Sequence, residues 1–388
     1  MTVAARGSKA VLVLGGGVGG LVAANRLRKL LPPRDRIVLV DREPNHVFQP
    51  SLLWLATGSR DAGRIQRPLA RLERKGIEVV QAEVTAINPE ARTARADGRD
   101  FAADAMIVAL GADLAPDAVP GLRDAGHNLY TVAGAAATRD ALAGLRAGRV
   151  VVLTAAPAYK CPAAPYEAAM LIQAYFRRAG RGEVRVDLYA AEPGPMGVAG
   201  PAVSAAVRGM VEASGIGYHP NHQVTVVDPA ERLLTFANGV TTSFDVLVYV
   251  PPHRAPEVVR AAGLTDSSGW IGVDRRRFET SFPGVHAIGD VTSVPLAMGK
   301  PLPKAGVFAH RQAEVVAHNI AEALRGEVGS AAFDGFGKCW VEVGNGRAGY
   351  GAGNFYAEPT PDVRLRAPSL LGHWSKVWFE RHWLWHWF

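Results

Sequence analysis

Cysteine is nearly absent: the 388 residues contain two thiols, Cys161 and Cys339. That excludes a disulfide-stapled scaffold and makes any pairing between them chemical rather than structural. Long apolar runs are missing too, and none approaches the ~20 residues that a membrane-spanning helix needs. The chain reaches "KAVLVLGGG" within about ten residues of its start, so no signal peptide is expected. Basic residues outnumber acidic ones by 43 to 36. They are scattered rather than blocked, which argues against a nucleic-acid footprint. No His/Cys spacing points to a metal. No repeat of solenoid period occurs, and the one biased tract is the loop-like "AAEPGPMGVAGPAVS". With 48% hydrophobic and 20% charged residues, what remains is a folded soluble or peripheral protein with material for two or three domains.

What is present begins with "KAVLVLGGGVGGLVAANRLRKLL", which reads as strand, tight turn and helix. Gly15, Gly17 and Gly20 supply the G-x-G-x-x-G pattern: one glycine for the turn, one for close approach of a pyrophosphate, one for helix–strand packing. The helix N-terminus then offers its partial positive charge to the phosphates. The next apolar strand, "RIVLVDRE", ends in Asp41, where a carboxylate can take ribose hydroxyls.

Two later segments narrow the choice of dinucleotide. "DAMIVALGADLAP" is a strand running into Gly111, and "TSFPGVHAIGDVTSVPL" is a strand ending in Gly289-Asp290. In this order the three segments resemble the flavoprotein reductases with two dinucleotide-binding domains. That resemblance implies that the first glycine loop holds FAD, that Asp290 binds its ribityl chain, and that a second glycine loop near residue 155 holds NAD(P)H.

The second loop is missing. The strand "RVVVLT" and the expected helix "APYEAAMLIQAYFRR" are both there, but between them stand Ala155, Ala156, Pro157, Ala158 and Tyr159. Side chains crowd the place where phosphates would lie, and proline lacks an N–H donor. NAD(P)H is therefore not expected as the donor. Cys161, beside Lys160 and close to a helix N-terminus, is expected to have a lowered pKa and to be nucleophilic.

"YKCPAAPYEAAMLI", "GKCWVEVGNGRAGYGAGNFY" and "LGHWSKVWFERHWLW" together resemble the sulfide:quinone oxidoreductases and the related flavocytochrome c sulfide dehydrogenases. The resemblance covers nearly the whole chain. It implies that Cys161 and Cys339 form the redox pair beside the flavin, that sulfide attacks their disulfide or polysulfide bridge, and that two electrons pass to FAD. Many bacterial members of the family have a third cysteine; here Tyr130, Thr131 and Val132 occupy that region, which implies non-covalent FAD. Lys304 matches a family lysine at the flavin edge, where a cation suits reduced flavin. Glu167 is a candidate for proton transfer; His127, His219 and His310 stay open as bases.

Five of the eight tryptophans fall in the last fifteen residues, "WSKVWFERHWLWHWF". On a helix, Leu370, Leu371, Trp374, Val377, Trp378, Trp385 and Phe388 are expected on one face. Charged residues interrupt the run, so an interfacial helix is expected rather than a spanning one. Its removal is expected to leave the flavin site intact. The resemblance assigns Lys376 and Phe379 to the quinone site, with Ser375 where the family usually has glycine and Tyr356 as a further wall residue.

The expected architecture is α/β: two Rossmann-like domains in the manner of glutathione reductase, with a C-terminal membrane-interface segment. Residues 1–115 and 246–330 would form the FAD domain, 116–245 the second domain, and 331–388 the segment with Cys339 and the membrane face. The expected function is sulfide oxidation with a membrane quinone as acceptor, in a peripheral (monotopic) protein that could form a homo-oligomer. Three other classes stand beside it: a sulfide dehydrogenase flavoprotein passing electrons to cytochrome c, a type II NADH dehydrogenase, and a non-catalytic flavin-binding membrane sensor.

Overall fold

The computed structural model describes residues 7–388. Two five-stranded parallel sheets form its frame. The first runs in the order Val285–Ala287, Ala105–Val108, Ala10–Leu14, Arg36–Asp41, Glu78–Gln81. The second runs His127–Asn128, Val246–Val250, Gly148–Thr154, Val184–Ala190, Gly217–His219. The central strands are almost continuously apolar and buried, as strands covered on both faces must be. In both sheets, the order reverses next to the strand that feeds the expected nucleotide loop. Such a reversal opens a crevice at the strands' C-terminal ends, where ligands of open α/β sheets bind.

The strand Val246–Val250 pairs with Gly148–Thr154 inside the second sheet. The expected return to the first domain at residue 246 is thus displaced beyond Val250. The strand Val285–Ala287 and the helix Gly306–Arg325 complete the return, and that helix packs along the glycine-loop helix Val18–Leu30.

A three-stranded antiparallel sheet (Phe336–Gly344, Arg347–Asn354, Asp362–Ser369) and the helix Leu370–His386 close the chain. Ser369 caps this helix by accepting the Gly372 N–H at 3.0 Å. Its outward stripe is Leu370, Leu371, Trp374, Trp378 and Trp385, all between 54% and 79% exposed. The inward side buries Lys376, Val377, Glu380, Trp383 and Leu384, with Trp387 just beyond. Two charges of this helix, Lys376 and Glu380, face the core, while Trp374, Trp378 and Trp385 face outward. Val377, expected on the outer stripe, belongs to the inner one. Among the described residues, no helix is long and apolar enough to cross a membrane.

Candidate active site

The first glycine loop has the geometry of a dinucleotide cradle. A Cβ on Gly15 would lie 2.4 Å from the Ala109 carbonyl oxygen, and one on Gly20 would lie 1.8 Å from that of Gly15. Neither position tolerates a side chain. A Cβ on Gly17 would meet nothing within 4 Å, so the loop opens there, at the N-terminus of a helix with no acidic residue in its first turn. Asp41 closes the loop by accepting the Gly16 N–H at 2.5 Å. Burial raises its pKa, against backbone hydrogen bonds from Gly16 and Glu43 that lower it.

Gly289 fixes the second motif by donating to the Gln312 side chain at 2.7 Å. The Asp290 carboxyl is pushed up by burial and held down by the ammoniums of Lys160 and Lys304. Gly111, with φ 71°, turns the chain at the end of the Ala105–Val108 strand. An open glycine loop, an acceptor at its rim and a carboxylate between two lysines are the donor set that a pyrophosphate and a polyol chain require, so these residues fit FAD. Lys304 itself donates to the carbonyls of Asp290 (2.7 Å) and Thr292 (2.9 Å) and lies 3.4 Å above the Trp270 ring. Burial lowers its pKa to about 8, against the attraction of Asp290.

The second crevice is filled by the protein's own hydroxyls. Glu192, just past the strand Val184–Ala190, accepts from Thr154 at 2.8 Å, from Tyr166 at 2.6 Å and from Tyr159. A carboxylate at the end of this strand is placed to bind ribose hydroxyls in a dinucleotide site; here protein hydroxyls take its oxygens. The loop that replaces the glycines has two non-glycine residues with left-handed backbone, Ala158 (φ 66°) and Cys161 (φ 50°). Hydrogen bonds hold that conformation in place. The Cys161 N–H donates to the Lys304 carbonyl at 2.6 Å, and the Tyr130 hydroxyl donates to the Lys160 carbonyl at 2.6 Å and that of Cys161 at 3.3 Å.

Cys161 and Cys339 are both free thiols, partly buried, and the fold brings them within electrostatic reach of each other. The helix Ala164–Arg178 follows Cys161, and Cys339 lies in the strand Phe336–Gly344 that packs on that helix. The expected depression of the Cys161 pKa is overturned. Burial is the largest influence and drives it upward, with Cys339 and Glu167 adding to the rise and Lys376 opposing it. Cys339 is pushed up to about 11 by burial and Glu167. Desolvation outweighs the lysine and the helix end.

Beneath the thiols lies a buried ionic group. Lys376 Nζ and Glu167 Oε1 are 2.7 Å apart, with the side chains 5% and 3% exposed. Glu167 also accepts the Glu342 N–H at 2.9 Å. Glu342 is buried, with a pKa raised by desolvation, and pairs with His373 Nδ1 at 3.0 Å. Burial pulls the Lys376 pKa down, yet Glu167, Glu342 and Cys339 together carry it above the ordinary value. His373 is 23% exposed, so the group runs from the cysteines toward the outside. Glu167, a helix residue with a plain structural alternative in the sequence, thus has the thiols as electrostatic neighbours. The histidine of this group is His373; His310 packs instead on Trp383 and Trp387, His219 on Tyr189, and His127 begins an edge strand.

Phe379 stacks on Trp340 with ring centres 5.1 Å apart and meets Phe48 edge-on at 5.6 Å. Trp340 is anchored by its Nε1–H to the Ser375 hydroxyl at 2.7 Å. Lys376 lies 5.2 Å from the Trp54 ring centre. Tyr356 does not join these rings: it packs on Phe333, lies under Arg275 and donates to the Arg275 carbonyl.

Several residues here escape sequence reasoning. His46 is buried, and burial lowers its pKa to about 4, so it is neutral. Its Nδ1–H donates to the Gly16 carbonyl at 3.0 Å and its Nε2 accepts from Trp383 Nε1 at 3.1 Å. The two partners assign the tautomer, and through it the C-terminal helix holds the first glycine loop. Glu380 accepts from Ser51 at 2.6 Å and from Arg60 at both oxygens. No local pattern marks these contacts; those made by Trp383 and Glu380 each join segments more than 300 residues apart.

Comparison with known proteins gives a consistent picture. Residues 9–313 match the family model described as pyridine nucleotide-disulphide oxidoreductase. The chain is 29% identical to the sulfide-quinone reductase of Aquifex aeolicus, across 97% of this chain and 91% of that one. It is 25% identical to the mitochondrial sulfide:quinone oxidoreductase of Mus musculus, across 90% and 79%. The crystal structure of the sulfide:quinone oxidoreductase from Aquifex aeolicus superposes with a TM-score of 0.88 at 27% identity, covering 98% of this chain and 91% of that one.

Proposed function

Since the chain belongs to the pyridine nucleotide-disulphide oxidoreductase family, we propose that it uses the family's two-domain frame to oxidise sulfide and reduce a quinone. The observation that carries this reading is the replacement of the second nucleotide loop by a cysteine loop. The crevice that would take a nicotinamide dinucleotide is occupied by Tyr159 and Tyr166 on Glu192, and the same loop delivers Cys161 to Cys339.

In the oxidised pair, HS⁻ attacks one sulfur of the Cys161–Cys339 bond. A new S–S bond forms, the old one breaks, one cysteine becomes a persulfide and the other leaves as a thiolate. Lys376 lowers the cost of that thiolate, since it pulls both cysteine pKa values down. Glu167, Glu342 and His373 hold the protons that H₂S gives up. The loop Gly15–Gly20, Asp41, Gly111 and Gly289-Asp290 would hold FAD without a covalent bond, and the flavin would supply the two-electron link from sulfur to quinone. Each turnover delivers two electrons and two protons to the quinone and leaves one sulfur at the sulfane level.

Phe379 and Trp340 present stacked faces suited to a quinone ring, and Lys376 behind them has its protons in the buried group. The outward stripe of the C-terminal helix places five large apolar side chains where only lipid or a partner can cover them. A quinone dissolved in lipid is reached from such a surface, which favours a peripheral membrane location. The test is anaerobic stopped-flow: sulfide bleaches the bound flavin within turnover time, NADH does not, and a long-tailed quinone restores the colour. Bleaching by NADH at a turnover-competent rate would overturn the assignment.

A further inference from the structure

Beside the C-terminal helix, a cleft of about 470 Å³ is lined by Arg60, Arg64, Arg67, Glu380, Arg381 and Leu384. Its four arginines do different things. Arg60 is spent on Glu380, paired at 2.8 Å with both side chains mostly buried, and lies 4.5 Å from the Trp54 ring centre. It shapes the wall. Arg67 donates to the carbonyls of Arg64 and Gln66 and, like Arg381, is paired with no carboxylate among the described residues. Arg64 meets only Asp61, at 3.8 Å, with both side chains more than 75% exposed. The cleft therefore has uncompensated positive charge. Arg381 stands three residues after Trp378 and four before Trp385, so the charge adjoins the apolar stripe on one helix face.

We propose that this cleft binds the phosphate of an anionic phospholipid headgroup in the bilayer that the tryptophan stripe enters; the proposal rests on the peripheral-membrane reading above. Guanidinium groups hold phosphate oxygens through paired N–H bonds, which a surface lysine cannot do in the same geometry. A stripe sunk to the headgroup boundary brings phosphates level with the residues flanking it. Charge and apolar stripe then act together, the arginines choosing the lipid and the tryptophans supplying the insertion.

Flotation of the FAD-loaded enzyme on phosphatidylcholine vesicles, and on phosphatidylcholine vesicles containing phosphatidylglycerol, tests the assignment. Each arginine near the surface should contribute about fivefold, so the wild type should prefer anionic vesicles by on the order of a hundredfold. Arg64→Gln/Arg67→Gln/Arg381→Gln should lose most of that preference while floating on neutral vesicles as before. Arg381→Gln alone, at an exposed position without partners, should lose about fivefold and guards against a folding defect in the triple variant. A preference that survives the triple substitution overturns the proposal. So does one that millimolar free glycerol phosphate abolishes, which would make the cleft a soluble-anion site. A wild type that floats on neutral vesicles without anionic preference sinks this proposal alone; one that floats on neither sinks the membrane reading with it.

Discussion

Glu167 and Lys376, 209 positions apart in the chain, meet at 2.7 Å with almost no exposure of either side chain. Glu167 stands on the helix that begins just after Cys161, and Lys376 on the helix that carries the outer tryptophans. One ion pair thus ties the helix behind Cys161 to the element that carries the exposed tryptophan stripe. Two charges in so dry a place are costly apart and tolerable together.

That asymmetry yields the first prediction. Lys376→Met and Glu167→Gln should each lower the unfolding free energy, by about 3–5 kcal/mol where a charge is left buried and unpaired, as in Lys376→Met. The double variant should recover much of the loss. Guanidinium unfolding midpoints of the three variants measure it. Additive losses would mean that the pair is not a thermodynamic unit.

The second prediction concerns pH. Burial disfavours the anion, so the neutral thiol is the resting form of both reduced cysteines. Cys339, pushed up to about 11, should be thiolate in roughly one molecule in ten thousand at pH 7. Iodoacetamide should therefore react about tenfold faster per pH unit through the range below 10 and level off only near 11, with Cys161 later still. Lys376→Met removes a group that lowers both pKa values and should move the curve further upward. A plateau by pH 8 would contradict the burial argument.

Cys161→Ser and Cys339→Ser form the third. Each should abolish flavin bleaching by sulfide and leave a yellow, FAD-loaded protein, because the glycine loop and Asp290 are untouched. The readout is the 450 nm absorbance after anaerobic mixing with sulfide, alongside FAD content. Near-normal bleaching in either variant would remove that cysteine from the mechanism.

Much of this site is legible in the sequence because its parts are local. Gly15, Gly17 and Gly20 declare a turn by spacing, and the absence of glycine from Ala155 to Tyr159 declares a lost one. The helix Ala164–Arg178 has the bounds that its apolar pattern predicts. What escapes is whatever depends on distant partners. Nothing near His46 signals that it will bridge Gly16 and Trp383. Cys161 next to Lys160 suggests a reactive thiolate, but the Lys160 ammonium is shared among Asp290, the Tyr130 ring and Cys161, and burial decides the thiol. Along the last helix, spacing puts Val377 on the outer stripe, and the fold buries it beside Lys376 and Glu380.

The fourth prediction tests the filled crevice. Tyr159→Phe/Tyr166→Phe leaves Glu192 with only the Thr154 hydroxyl and should cost about 1–3 kcal/mol for each lost donor. Reduction of the flavin by NADH should remain absent, since the alanines and Pro157 still crowd the phosphate position. Thermal unfolding and anaerobic mixing with NADH read the two outcomes. NADH reduction in this variant would show that the tyrosines alone exclude the dinucleotide.

The fifth separates the two faces of the C-terminal helix. Deleting residues 369–388, which the sequence alone presents as harmless to the flavin site, removes Lys376 from Glu167, Trp383 from His46 and Glu380 from Arg60. It should therefore abolish FAD binding and folding together. Trp374→Ser/Trp378→Ser/Trp385→Ser changes only side chains that are 61%, 64% and 75% exposed. Folding, FAD content and bleaching by sulfide should be unchanged in this variant, while flotation on liposomes falls steeply, because the apolar area that enters the headgroup boundary is gone. Phe379→Ala should do the reverse: it keeps the outer stripe and flotation but loses the ring stacked on Trp340, so reduction of decylubiquinone slows while bleaching by sulfide does not. A triple variant that still floats as the wild type does would place the lipid contact elsewhere. A Phe379→Ala enzyme with unchanged quinone reduction would do the same for the acceptor site.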